Sequence, residues 1–267
     1  MEKNKLLNPD LFLTQTKHDL TRQFYSNKPI RHLVIDNFLD KDFAYTISVH
    51  FPAVKEMKTH YHGINEKKSE HSDFSNLDIA FSRLHEELSS RYFTEWLTDV
   101  TSIQDLETID DRLGYGLHQG ANNSFLDIHI DYNLHPVKKR YRKLNFILFF
   151  NEKWENSWGG HLELWDEKVQ NCIQSISPIF NRCVIFECSD ISYHGYSRII
   201  VPSDITRKSY YQYYFIPAEN DISFHDTIFK PRPEESAIKK LLTPTKDFLK
   251  NSAKKLLLKL GLKNFLE

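Results

Sequence analysis

Residues 125–132 read Phe-Leu-Asp-Ile-His-Ile-Asp-Tyr, and this stretch decides how the rest of the chain is interpreted. Polar and apolar residues alternate in it as in a half-buried strand, where every second side chain lies on the same face. His129 and Asp131 therefore share a face with Phe125, and the opposite face carries the aliphatic side chains Leu126, Ile128 and Ile130. An imidazole and a carboxylate about 6–7 Å apart along a strand can both reach one metal ion. His-x-Asp is too short a motif to decide this alone, because a satisfied surface pair has the same sequence.

A second element further along the chain strengthens the metal hypothesis. His194 is followed by Gly195, and Arg207 begins another β-rich run thirteen residues later. Two histidines and one aspartate are the ligand set of non-haem Fe(II) oxygenases, where they occupy one face of an octahedron and leave the other positions open. Without further context, Arg207 is a solvated charge at a strand end.

The spacing of β-rich runs predicts the fold. Short segments rich in β-branched and aromatic residues recur after residue 112, at 113–118, 125–130, 144–150, 161–166, 182–187 and 207–216. Turn clusters such as Gly120–Asn123 and Gly159-Gly160 separate them. A helical N-terminal region followed by many short strands predicts a mostly-β fold with a jelly-roll (double-stranded β-helix) core and flanking helices. We expect a supporting region at 1–111, the core at 112–217, and a linker with a basic helix at 218–267.

The N-terminal region carries clear local signals. Leu33 and Ile35 alternate with polar residues as in a short strand, and Asp40 is a helix N-cap for a helix ending near His50. Residues 55–78 are polar and without periodicity, which predicts a loop that serves as a lid or is disordered. Residues 79–98 have apolar side chains near helical spacing and predict one helix.

Composition excludes several classes of protein. The chain has 267 residues, 40% of them hydrophobic and 27% charged, and a net charge of −1, which excludes a generally basic nucleic-acid binder. The N-terminus lacks the pattern of a secretory signal, and three cysteines (Cys172, Cys183 and Cys188) are too few for a disulfide framework, so we expect core thiols and a cytoplasmic protein.

The C-terminal segment has its own charge pattern. Residues 236–267 hold eight Lys against Asp247 and Glu267, and leucines and lysines form neighbouring stripes over 245–260. Such a helix either docks its leucines on the domain or attaches to an anionic membrane surface. The basic run at 138–142 also has two interpretations: it recognises an acidic substrate, or it is a solvated turn.

Taken as an ordered set, these motifs resemble the 2-oxoglutarate/Fe(II) dioxygenase superfamily, in its prolyl-4-hydroxylase-like branch. The similarity covers about 112–216, with a weaker echo at 34–39. Its elements are the His129-x-Asp131 strand, Asn151-x-x-Trp154 with Gly159-Gly160-x-Leu162, Val184-Ile185-Phe186 before His194-Gly195, and Arg207-x-Ser209.

The resemblance implies a role for each matching residue. His129, Asp131 and His194 would be the iron ligands, Arg207 would pair with the distal carboxylate of 2-oxoglutarate, and Ser209 would add a hydrogen bond. Asn145 and His118 are further cofactor-binding candidates, although His118 is as readily a satisfied interior histidine. Phe149 stands where oxygen-sensing prolyl hydroxylases carry a Tyr, so that contact must come from elsewhere.

The implied activity is hydroxylation of an unactivated C–H bond coupled to conversion of 2-oxoglutarate to succinate. The implied requirements are Fe(II), 2-oxoglutarate and O₂, with ascorbate as a further candidate. A peptidyl or free amino acid, a secondary metabolite and an envelope glycan or lipid are all open as substrates, and no nucleic-acid partner is expected. The competing hypothesis is a non-catalytic jelly-roll module that uses the His/Asp set only to bind metal.

Overall fold

The computed structural model describes residues 6–219, 222–245, 252 and 254. Helices surround a set of short strands. The helices are α1 (Thr14–Ser26), α2 (Lys41–Val49), α3 (Ile79–Ser89) and α4 (Arg91–Thr101). The strands are β1 (His32–Ile35), β2 (Thr59–His62), β3 (Glu66–His71), β4 (Tyr115–Gly120), β5 (Phe125–Ile130), β6 (Arg140–Phe149), β7 (Leu162–Trp165), β8 (Cys172–Ile176), β9 (Cys183–Glu187), β10 (His194–Tyr196), β11 (Arg207–Pro217) and β12 (Ile228–Phe229).

The strands form one strongly curled antiparallel sheet. Its order is β1-β9-β6-β11-β4-β3-β5-β10-β7-β8, with β2 added beside β3 and β12 beside β5. The strands β1-β9-β6-β11-β4 make one wall and β5-β10-β7-β8 the facing wall. β3 joins the walls, because Ser69–His71 pair with β4 while Glu66 and Lys67 pair with β5. This arrangement confirms the predicted jelly-roll core with flanking helices.

The main apolar core lies between the larger wall and the helices. Phe38, Phe93 and Phe146 are fully buried there, and the rings of Phe38 and Phe146 meet edge-on with centroids 5.3 Å apart. Edge-to-face pairs of this kind add to the large apolar area that aromatic side chains remove from water. A second cluster, which includes Phe149, Leu164 and Val184, lies between the two walls. The helices therefore brace the outer side of one wall and leave its inner side for the site.

Local signals in the sequence match the structure at several elements. β5 spans the predicted 125–130, and the Asp40 carboxylate accepts hydrogen bonds from the backbone N–H groups of Asp42 and Phe43. The single helix predicted over 79–98 is wrong: two helices meet at Ser90, whose extended backbone breaks the first and whose hydroxyl caps the second. Among the predicted core thiols, Cys172 is also wrong, since it is exposed on β8.

The loop predicted at 55–78 is wrong over much of its length. Its residues form the hairpin β2–β3, in which Thr59–His62 pair with Glu70–Lys67. The hairpin escapes the usual strand signal because neither face of it is apolar. On β3, Glu66, Lys68 and Glu70 line a polar cavity, and the buried residues Ser69 and His71 on the opposite face are also polar.

Residues after 217 pack against the core strands where they are described. Ile228 and Phe229 pair with Ile130 and His129, and the Lys239 ammonium lies 2.7 Å from the Asp127 carboxylate. Residues 237–245 are helical, but most of the helix predicted at 245–260 lies outside the described residues. None of the helices formed by the described residues is long and apolar enough to cross a membrane. The domain boundaries stay a prediction.

Candidate metal centre

Two neighbouring strands bring the predicted ligands together. His129 on β5 is the register partner of His194 on β10, and their ring centroids lie 4.3 Å apart. Asp131 follows the end of β5; its Oδ1 lies 3.5 Å from His129 Nε2 and its Oδ2 lies 3.5 Å from His194 Nε2. Both histidines are buried, with 4% and 5% of their surface exposed. A ligand atom from each of the three residues lies within 4.8 Å of the others.

Backbone carbonyls orient both imidazoles. Nδ1 of His129 lies 2.9 Å from the Asp127 carbonyl, and Nδ1 of His194 lies 3.0 Å from the Ser192 carbonyl. A carbonyl only accepts, so each Nδ1 carries a proton and each Nε2 lies toward the centre. Two imidazoles and one carboxylate with further positions open suit a ferrous ion. The residues present therefore fit the metal that the sequence predicts.

A β-bulge in β5 aims His129 at the centre. Strict antiparallel pairing would place Tyr196 opposite Asp127, but Tyr196 pairs with Leu126, so β5 contains one extra residue. The extra residue turns Asp127 away toward Lys239 and puts Leu126 on the cavity with His129. The prediction that Phe125 shares the His129 face is therefore wrong, because unbroken alternation does not hold across a bulge.

The charges at the centre favour binding of a cation. Burial lowers the pKa of His194 to about 4, and the neighbouring His129 adds to this effect. Burial alone would raise the pKa of Asp131, but Arg142 and the two imidazoles outweigh it and hold that pKa well below its ordinary value. His194 is thus neutral and Asp131 ionised at neutral pH, so no proton has to leave either side chain before metal binds.

Arg207 lies in the same cavity as these three residues. Its Nε donates to the Gly160 carbonyl at 2.7 Å, and its guanidinium lies 4.9 Å from the Phe149 ring centre and 4.3 Å from that of Tyr196. Burial lowers its pKa to about 10, and in the described part of the chain no carboxylate forms an ion pair with it. A buried cation without an ionic partner is costly, so this position suits an anionic ligand.

The double glycine explains how Arg207 reaches its place. Gly160 has φ +69°, and a Cβ there would collide with the Ile199 side chain and lie 3.3 Å from Arg207 Cδ. Only glycine fits such a position without strain. The Gly159-Gly160 turn therefore brings its carbonyl close to the Arg207 side chain.

The remaining predicted residues also line this cavity. Ser209 and Asn145 are buried in it, and Asn145 Nδ2 donates to Asp131 Oδ2 at 3.0 Å. The His118 ring stacks on Tyr211 at 4.3 Å, and its Nε2 lies 3.4 Å from Glu70 Oε2. The structure thus brings all seven predicted side chains to one cavity, while their roles stay a prediction.

The sequence did not reveal three side chains that face the site. Lys68 and Glu70 enter from β3, where Glu70 accepts a hydrogen bond from the Tyr211 hydroxyl at 2.5 Å. Arg142 was hidden in the basic run at 138–142; a solvated turn is wrong for this residue, which is only 1% exposed. Glu70 has no periodic signal in the sequence, because every residue of β3 is polar. For Arg142 the weak signal was its position at the start of a long strand.

Comparison with known proteins identifies a matching family and several relatives. Residues 115–215 match the family model described as the 2OG-Fe(II) oxygenase superfamily. The chain is 26% identical over 183 residues to a protein of Mus musculus named prolyl 3-hydroxylase OGFOD1, and 28% identical over 112 residues to its Xenopus laevis namesake. These matches cover 64% and 40% of this chain but only 30% and 20% of the relatives, so the chain spans less than a third of their length.

Solved structures share the fold. A Pseudomonas putida prolyl-4-hydroxylase aligns with a TM-score of 0.54 at 13% identity, over 74% of this chain and 98% of its own. A Trichoplax adhaerens prolyl hydroxylase in complex with a hypoxia inducible factor peptide fragment aligns with a TM-score of 0.51 at 15% identity, over 75% and 91%. These likenesses show the predicted fold, and the family match supports the predicted resemblance to the 2-oxoglutarate/Fe(II) superfamily.

Proposed function

We propose that this chain, whose residues 115–215 belong to the 2OG-Fe(II) oxygenase superfamily, is an Fe(II)- and 2-oxoglutarate-dependent dioxygenase that hydroxylates an unactivated C–H bond. One observation carries the proposal: two imidazoles and a carboxylate converge in a cavity that also holds a buried guanidinium without an ionic partner among the described residues. Metal ligands and an anion site side by side are what a metal-bound oxo acid requires.

Each side chain has a defined task in this proposal. His129, Asp131 and His194 would hold the ferrous ion, and Arg207 would receive the far carboxylate of 2-oxoglutarate through charge-assisted hydrogen bonds. The bound ion and 2-oxoglutarate supply the O₂-dependent oxidation that yields succinate, CO₂ and the hydroxylated product. Ser209 lies beside Arg207 on the same face of β11 and would donate a further hydrogen bond.

The cavity walls limit water around the reacting groups. Phe149 and Leu162 are almost fully buried, and Tyr196 covers one side of Arg207. An apolar, enclosed wall strengthens the hydrogen bonds that Arg207 makes, because water competes less for them. Phe149 offers no hydroxyl, so a second polar contact to the co-substrate would come from Ser209, His118 or Asn145.

Arg207 also weighs against the competing hypothesis of a non-catalytic metal-binding module. A site that only binds metal has no use for a buried cation beside the ligands, and the burial of such a cation opposes folding. In a 2-oxoglutarate enzyme that cost is offset when the co-substrate binds.

Succinate formation tests the proposal. The full chain with Fe(II), O₂ and 2-oxoglutarate should release succinate, and the His129→Ala and Asp131→Ala variants should release almost none. His161→Ala is the matched control, since His161 bonds Ser175 and does not line the metal cavity. Wild-type turnover in the double variant His129→Ala/Asp131→Ala would disprove the ligand assignment, and metal binding without succinate would favour the non-catalytic module.

For the substrate we propose an order of classes to test, and for the location a compartment. Because relatives carry the name prolyl 3-hydroxylase, peptidyl proline is the first substrate to test, followed by free amino acids, secondary metabolites and glycans. Mass spectrometry that detects gain of one oxygen atom would identify the product, with ascorbate added in parallel. Three free cysteines, with Cys172 exposed, support a reducing cytoplasm. Flotation of the chain with anionic vesicles, with and without residues 236–267, tests membrane contact.

A further inference from the structure

Arg142 lies behind the candidate metal centre and is fixed in one orientation. Its guanidinium carbon lies 3.6 Å from the ring centre of Tyr132 and 3.6 Å from that of Tyr213. The Tyr132 ring is itself held, because its hydroxyl donates to the Leu113 carbonyl at 3.1 Å. A planar cation stacked between two aromatic faces loses its freedom to rotate and gains cation–π attraction on both sides.

The fixed guanidinium contacts one oxygen of the aspartate. Arg142 Nη1 lies 2.8 Å from Asp131 Oδ2, and Asn145 Nδ2 donates to the same oxygen at 3.0 Å. Oδ1 lies toward His129 Nε2, at 3.5 Å. His194 Nε2 lies 3.5 Å from Oδ2, so each carboxylate oxygen is equally far from one of the two imidazoles. Only the contacts of Oδ2 with Arg142 and Asn145 distinguish the two oxygens.

We propose that Arg142 is a positioning residue that retains Oδ2 of Asp131, so that Asp131 binds the metal ion through Oδ1 alone. The inference rests on the proposed function, because it needs a metal ion at His129, Asp131 and His194. Arg142 touches neither the ion nor the reacting atoms and acts through Asp131. Neighbours that orient a metal ligand typically account for about 10–100-fold in metal affinity.

The energetics of the pair agree with this role. Arg142 is 1% exposed, and the Asp131 side chain is 13% exposed, so each would be a buried unpaired charge without the other. Removal of one partner from a buried pair leaves the other uncompensated. In a variant without Arg142, the Asp131 carboxylate would be free to rotate and offer both oxygens. A coordination site with one oxygen more would then leave less room for a co-substrate.

Titration with Co(II), a spectroscopic substitute for Fe(II), tests the inference on the full chain without 2-oxoglutarate. We expect Arg142→Met to bind Co(II) about 10–100-fold more weakly than the wild type, because a carboxylate that is no longer held in place must be ordered when the ion binds. We also expect its visible absorption spectrum to change, because the second oxygen changes the coordination number. Arg142→Lys keeps the charge but not the planar double stacking, so it should bind with intermediate affinity. Arg140→Met is the matched control: Arg140 is on the same strand, pairs with Glu107 and is partly exposed, and its loss should change neither quantity.

The outcomes separate this inference from the proposed function. A folded Arg142→Met variant with Co(II) affinity within about twofold of the wild type and an unchanged spectrum would overturn the inference. If that variant does not fold, the same result for Arg142→Lys overturns it. If His129→Ala leaves the Co(II) affinity unchanged, the metal site itself, and with it the proposed function, is wrong whatever the Arg142 variants show.

Discussion

Replacement of Arg207 by Met should leave the metal-free protein as stable as the wild type or more stable, while it weakens binding of 2-oxoglutarate. The pKa of Arg207 is lowered from 12.5 to about 10 because the cation is buried. At neutral pH the side chain is charged in both the folded and the unfolded state, so the full burial penalty applies below the folded pKa. The lowered pKa means that burial destabilises the charged folded form by about 3 kcal/mol, since one pKa unit is about 1.4 kcal/mol.

The Met variant also loses a favourable contact. The hydrogen bond from Arg207 Nε to the Gly160 carbonyl is 2.7 Å long, and a charged hydrogen bond contributes about 1.5–3 kcal/mol. We therefore expect the free energy of unfolding of the metal-free variant to be unchanged or higher by up to about 2 kcal/mol. Binding of 2-oxoglutarate to the Co(II)-loaded protein should weaken at least about a hundredfold, because two charge-assisted hydrogen bonds are lost.

Two measurements check the expected stability and the expected loss of affinity for 2-oxoglutarate. Urea unfolding of the metal-free protein gives the stability, and titration of the Co(II) absorption with 2-oxoglutarate gives the affinity. Arg198→Met is the control, since Arg198 is exposed and donates to the Asn123 carbonyl outside the cavity. A folded Arg207→Met protein with wild-type affinity for 2-oxoglutarate would refute the assignment of Arg207 as the carboxylate-binding residue. A loss of several kcal/mol of stability would refute the burial argument.

Three further predictions follow from the site. Gly160→Ala should lower the free energy of unfolding by about 1–3 kcal/mol, because it strains a left-handed backbone, and should lower the affinity for 2-oxoglutarate by displacing Arg207. Gly63→Ala is the control, since a Cβ there would make only ordinary contacts of 3.7 Å or more. Urea unfolding and the Co(II) titration measure the two effects. Burial alone would raise the pKa of Glu70, but His118, Lys68 and Tyr211 outweigh burial and lower that pKa. The ionised Glu70 therefore contributes its full stabilisation above the pKa of an unfolded Glu, and this contribution is lost as the pH falls toward the lower pKa of the folded protein. Unfolding followed from neutral to acidic pH should thus decline more steeply for the wild type than for Glu70→Gln, and parallel curves would count against the network. Saturation with Co(II) at a hundred times its Kd should raise the free energy of unfolding by about 2.7 kcal/mol in the wild type and by much less in Asp131→Ala, as thermal unfolding with and without chelator would reveal.

The sequence was informative wherever a local rule determines structure. The run of β-favouring residues at 125–130 predicted the bounds of β5, although a bulge interrupts its alternation, and a capping carboxylate marked the start of α2 at Asp40. The ligand set and Arg207 were predictable because their order along the chain resembles a known family and the topology returns each strand to one cavity. The family match and the fold support that resemblance, while the ligand roles await the experiments above.

Other features depend on contacts that a linear pattern does not contain. β10 has three residues, too few for any periodicity, and β3 faces a polar cavity, so its alternation is not apolar. The bulge that turns His129 inward follows from the pairing of β5 with β10 rather than from the composition of β5. Arg142 looks like part of a solvated run until the stacking of Tyr132 and Tyr213 around it is known.

The divided pairing of β3 has a practical consequence. Because this strand shares its hydrogen bonds between β4 and β5, the position of the cavity wall that it forms is fixed by backbone pairing. Glu66 and Lys68 line the polar cavity on that side but take no part in the proposed ligand set. Substitutions at Glu66 and Lys68 are therefore the first way to change which molecules enter the cavity, because they leave His129, Asp131 and His194 unchanged.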